Sequence, residues 1–165
     1  MNKIFRKFSL YSRWTELSND VSLPPKTLRE ILNSVRVETL GAIGSKCGTL
    51  DYINVVNAMG LRKNYDSFVY LLTEHLGGPN FAKWFHCFHH VSGNKDIFHL
   101  QHNLGHNWSV YLKAYIISCL RSVIDTDVKT RVYDYAVTFM VTRPSDARIK
   151  SITQTQTTSW KNLDR

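Results

Sequence analysis

Residues 81–102 read FAKWFHCFHHVSGNKDIFHLQH, and this stretch decides the fold. Two runs rich in aromatic and β-forming residues, 81–91 and 96–102, flank Ser92-Gly93-Asn94-Lys95, a hairpin turn by composition. With Gly93-Asn94 as a two-residue turn, His90 pairs with Ile97, Phe88 with His99 and His86 with Gln101. Side chains alternate along a strand, so one face collects Trp84, His86, Phe88, His90, Ile97, His99 and Gln101. The other face takes Phe85, Cys87, His89, Val91, Phe98, Leu100 and His102, with Asp96 near the turn on that side. A loop one residue longer would invert the second strand.

Upstream the pattern is helical. Pro24-Pro25 opens a first helix, since proline is tolerated in the first turn, and Leu28, Ile31, Leu32 and Val35 keep the helical spacing. A second helix is expected from about 37 to 46 and to end at Gly48. A third follows to Met59, capped by Thr49 or Asp51 and stopped by Gly60. A fourth starts at Asp66, and Gly77-Gly78-Pro79 breaks the pattern.

Downstream, a long helix is expected over about 104–124, with Leu104, Trp108, Leu112, Tyr115 and Cys119 on one stripe and Asn103 or Asn107 as cap. Asp125–Thr130 reads as a polar connection. Residues 131–142 read as one strand, apolar on both faces and therefore central in a sheet. The expected fold is α+β: a helical N-terminal half followed by a β-β-α-β unit with a small sheet covered by helices. It forms a single domain over 1–144, with a basic arm at 1–13 and a flexible basic tail at 145–165.

Charge sits at the ends. The 165 residues carry a net +8, divided as +4 over residues 1–48, +1 over 49–142 and +3 over 143–165. An anionic partner is attracted mainly by the termini. In the arm, Lys3, Arg6, Lys7 and Arg13 stand among Ile4, Phe5, Phe8 and Tyr11 with no acid, which makes these four cations the candidate nucleic-acid contacts. Cys47, Cys87 and Cys119 match no disulfide framework or metal knuckle, as expected of reduced thiols in a cytoplasmic protein. Residues 1–8 lack the apolar core of a signal peptide, and Lys113 and Arg121 interrupt the most hydrophobic helix, so no transmembrane segment is expected.

All seven histidines fall between His75 and His106. Imidazole is the commonest metal ligand, so His86, His90 and His99, sharing one hairpin face, are the candidate ligands for zinc or another transition metal. No carboxylate or thiolate of the hairpin clearly completes such a shell, and HExxH and paired Cys/His spacings are absent. No resident cofactor is expected. No catalytic set is complete either: Cys87 and His86 are adjacent in a strand and point to opposite faces.

The segment SRWTELSNDVSLPPKTLREIL (12–32), with the pattern HxLGxxWSxYLKxYI over His102–Ile116, resembles a family of small uncharacterised archaeal proteins. The likeness spans roughly residues 9–142. The family has no assigned reaction, so the resemblance implies a cytosolic archaeal setting and transfers no site residue. The N-terminal part also resembles a ribbon-helix-helix DNA-binding unit, with a strand over 9–17 and LPPKTLREIL as first helix. Arg13 and Thr15 suit the DNA-reading face of such a strand; Ser12, Trp14 and Glu16 do not. The leading expectation is a non-enzymatic regulatory protein: a DNA-binding transcriptional regulator acting as a homodimer. The alternative is a metal- or small-ligand-binding sensor built on the histidine-rich hairpin.

Overall fold

The computed structural model describes residues 23–78 and 83–144. Helix α1 (Pro25–Ser34) starts behind Pro24, as the proline pair predicts. Helix α2 (Val37–Met59) runs unbroken for 23 residues, which corrects the expected division at Gly48. Glycine is present there for closeness, not for chain reversal. A Cβ on Gly44 would come within 2.6 Å of the Tyr111 carbonyl oxygen, and one on Gly48 within 2.2 Å of the Tyr115 carbonyl oxygen. The helix ends at Gly60, in the left-handed conformation at φ 64°.

Helix α3 (Tyr65–Tyr70) begins one residue before Asp66. Its cap is Asn64, whose side chain accepts from the Ser67 N–H at 2.9 Å. The chain continues as a wider π-helical turn over Leu71–Leu76, closed by the Gly77 N–H donating to the Leu72 carbonyl at 3.1 Å.

Strands β1 (His86–Ser92) and β2 (Lys95–Gln101) form the hairpin in the register read from the sequence: His86 opposite Gln101, Phe88 opposite His99, His90 opposite Ile97. Helix α4 (His106–Arg121) follows. Its cap is Gly105, not Asn103 or Asn107; the Asn107 amide donates instead to the Leu32 carbonyl at 2.9 Å and ties α1 to α4. The segment 131–142 is not one strand. It holds the end of β3 (Val128–Tyr133), a turn at Asp134-Tyr135, and β4 (Ala136–Thr142). The unit is therefore β-β-α-β-β, in an antiparallel sheet of order β1-β2-β4-β3. No glycine or proline marks the second turn, so a run of β-formers hid it.

β4 is central, as its apolar character predicts, and sends Val137, Phe139 and Val141 inward beside Phe98 and Leu100 of β2. These meet Leu112, Tyr115, Ile116 and Leu120 of α4 in one core. α4 lies against β3 and β4, α2 packs along α4, and the π-helical turn contacts β1. Trp108 is buried, stacked on Tyr111 with ring centroids 4.9 Å apart and edge-on to Trp84 at 5.5 Å. The described helices cover one face of the sheet; the other keeps exposed side chains, Phe88 and Tyr133 among them. No helix among the described residues is long and apolar enough to cross a membrane.

Candidate nucleic-acid interface

The outer face of the sheet follows from register and alternation. Four rows cross the strands: Ser92, Lys95 and Thr142; then His90, Ile97, Met140 and Lys129; then Phe88, His99, Thr138 and Arg131; then His86, Gln101, Ala136 and Tyr133. None of these positions holds Asp or Glu. Lys95, Lys129 and Arg131 are exposed cations, and the three imidazoles are neutral or cationic, never anionic. Exposed acids flank β3 at its two ends: Asp127 just before the strand, and Asp134 in the turn, 3.3 Å from His106.

Within this face the middle row is ordered. The Phe88 and His99 rings lie 6.2 Å apart, tilted by 39°. His99 Nδ1 is hydrogen-bonded to the Thr138 hydroxyl at 3.0 Å. Phe88 and Tyr133 are large apolar rings left 58% and 48% exposed. The face thus offers cations and flat rings to a partner.

The three histidines expected as metal ligands do share this face, but they stand in three successive rows. Among the described residues no group of three or more His, Cys, Asp or Glu side chains is arranged to hold a metal ion. The candidate contacts Lys3, Arg6, Lys7 and Arg13 lie outside the described residues, as do the strand of the ribbon-helix-helix resemblance and the basic tail.

The inner face carries a polar cluster to which the sequence reading assigned no role. Asp96 is fully buried. It accepts from Tyr65 Oη at 2.9 Å and from His89 Nε2 at 2.5 Å, and from the forked guanidinium of Arg143. Burial alone would push the carboxyl up; the hydrogen bonds from Arg143, His89 and Tyr65 outweigh it and hold the group below its ordinary range. All the bonding capacity of this carboxylate goes to joining the hairpin, α3 and the end of β4. A shallow pocket of about 330 Å³ opens beside it, lined also by Asn64, Asp66, Val69 and Pro144.

His102 and the three described thiols are poorly placed for nucleophilic chemistry. His102 receives the Leu104 N–H on Nδ1 at 3.2 Å, so its neutral ring donates from Nε2 to the buried Ser109 hydroxyl at 2.8 Å and has no lone pair with which to activate it. Burial pushes the His102 ring down to about 4, and raises the thiols of Cys47, Cys87 and Cys119, that of Cys87 to about 12.

The sequence reading placed Phe88 and the three histidines together on this face but missed Lys129, Arg131 and Tyr133. The available signal was the alternation of Lys129, Arg131 and Tyr133 with Val128, Thr130 and Val132, a strand polar on one side. Comparison with protein-family models, with curated proteins and with solved structures finds no match to this chain.

Proposed function

We propose that the protein is a non-enzymatic regulatory protein of the cytoplasm that binds nucleic acid, with the outer face of the sheet as its principal contact. The observation that carries this reading is the distribution of charge. Across the outward positions of four strands, Lys95, Lys129 and Arg131 stand with no carboxylate among them. A polyanion meets cations and no carboxylate at these positions, and it releases condensed counterions on binding. The basic arm and tail give the chain further cations. A binding role also suits the buried thiol of Cys119, whose pKa burial raises, and the occupied lone pair of His102.

Fluorescence anisotropy with labelled nucleic acid tests the reading. Affinity should fall steeply between roughly 50 and 200 mM salt. The paired reversal Lys129→Glu, Arg131→Glu should weaken binding at least ten-fold, and removal of residues 1–8 should weaken it further. Absence of binding at low salt, or binding indifferent to the paired reversal, would overturn the assignment of this face.

A further inference from the structure

We infer that the sheet face is built for single-stranded nucleic acid, with Phe88 and Tyr133 as stacking platforms for two separate bases. This rests on the nucleic-acid reading above and adds the strand state and the residues that distinguish it. The first observation is shape. Four strands spaced about 4.8 Å apart make a face about 14 Å wide before side chains are added. The duplex major groove is about 12 Å wide and admits a helix or a two-stranded ribbon, not a four-stranded sheet. Duplex bases also keep their flat faces inside the stack, where no surface ring can reach them.

The second observation is what stands on that face. Phe88 is on β1 and Tyr133 on β3, the two edge strands, and both rings are about half exposed. Exposed rings of this size contribute little to a core and gain most by covering an unstacked base, which every nucleotide offers. Their separation of about three strand spacings far exceeds the ~3.4 Å step between stacked bases, so they serve different nucleotides. Between them the middle row carries His99, its ring beside Phe88 and its Nδ1 held by Thr138, and then Arg131. An imidazole fixed in this way is a further flat surface, and a guanidinium can pair with a phosphate or lie on a base. Lys129, one row away, extends the path for the backbone. The arrangement of ring, ring and cation across one row is a track for a strand crossing the sheet, with sequence preference left to the few polar edges nearby.

The test compares four labelled 12-mers at one salt concentration: oligo-dT, oligo-rU, an abasic strand of equal charge, and a blunt duplex. Oligo-dT or oligo-rU, or both, should bind at least ten-fold tighter than the abasic strand and the duplex. Phe88→Ala and Tyr133→Ala should each weaken binding to the base-bearing single strands about 5- to 100-fold and leave abasic and duplex binding unchanged. Both side chains are exposed, so both variants should keep the wild-type melting curve, recorded alongside; Phe88→Tyr and Tyr133→Phe should restore binding. Equal binding of abasic and base-bearing strands, or indifference to both alanine variants, would overturn the stacking assignment while leaving charge-driven binding in place. Failure of all four probes to bind at low salt would overturn the nucleic-acid reading itself.

Discussion

Arg143 grips both oxygens of Asp96, its Nε donating to Oδ2 at 2.6 Å and its Nη2 to Oδ1 at 3.0 Å. The carboxylate is buried; the guanidinium reaches it from the surface. The Arg143 backbone N–H also donates to the Asn94 carbonyl at 2.8 Å. The residue after β4 is thus fastened twice to the β1–β2 hairpin. With the Tyr65 hydroxyl on the same carboxylate, this clasp ties the hairpin to α3 and to the end of β4.

Removing one bond of the clasp should cost stability without disturbing the sheet surface. Tyr65→Phe deletes a donor to a buried carboxylate and should cost about 1.5–3 kcal/mol, read from urea unfolding. The pH dependence has a definite sign. The Asp96 carboxyl is held below its ordinary range, so the unfolded chain takes up the proton first. The stabilisation is present above about pH 4 and is lost as pH falls through the lower, folded value. Asp96→Asn should flatten that acid limb; an unchanged limb would assign acid sensitivity to other groups.

Two glycines of α2 should respond oppositely to the same substitution. Gly41→Ala meets nothing within 4 Å and should stabilise the helix by up to about 1 kcal/mol. Gly48→Ala drives a methyl into the Tyr115 backbone and should destabilise by about 1–3 kcal/mol or more, despite the same gain in helix propensity. Thermal melts of the two variants check this, and similar shifts would mean that α2 and α4 are not in such close contact.

His102 should give a separate pH signature nearer neutrality. Its folded value is pushed down to about 4 by burial, against about 6.5 in an unfolded chain. Between those values the unfolded chain binds a proton that the folded protein refuses, so stability falls as pH drops from about 6.5 towards 4. Converted directly, this shift would be worth about 3 kcal/mol; discounted for the ring's partial exposure, on the order of 2 kcal/mol is expected. His102→Gln should be less stable at pH 7 and lose this slope, measured as urea midpoints across the range.

Zinc or nickel titrated into the protein should give weak heats that His99→Ala leaves unchanged. His86, His90 and His99 stand in successive rows, and no group of three ligands converges among the described residues. A metal site needs several nitrogens at about 2.0–2.1 Å from one ion. Tight, one-to-one binding abolished by His99→Ala would revive the sensor reading.

Much of the architecture was legible in residues 81–102 alone. A glycine-asparagine pair between two aromatic runs sets a two-residue turn. Once the turn is set, alternation places every side chain of both strands, so the face holding His86, Phe88, His90 and His99 could be read without coordinates. The start of α1 at its proline pair, the glycine after α2 and the centrality of β4 were legible for the same reason: each follows from a local steric or apolar rule.

What only tertiary structure decided depends on partners distant in sequence. Gly48 reads locally as a helix stop because its propensity is poor; it lies inside α2, where the close approach of Tyr115 from another helix leaves no room for a side chain. The turn at Asp134-Tyr135 carries neither glycine nor proline, only a lone Asp134 among β-formers, and the return of β4 between β2 and β3 is set by where Val137, Phe139 and Val141 can be buried. That return brings Lys129, Arg131 and Tyr133 onto the same face as Phe88 and His99. It also brings Arg143 to Asp96, 47 residues away along the chain. Local patterning reaches only as far as one hairpin; the shared face and the buried clasp exist because the sheet must close over a single core.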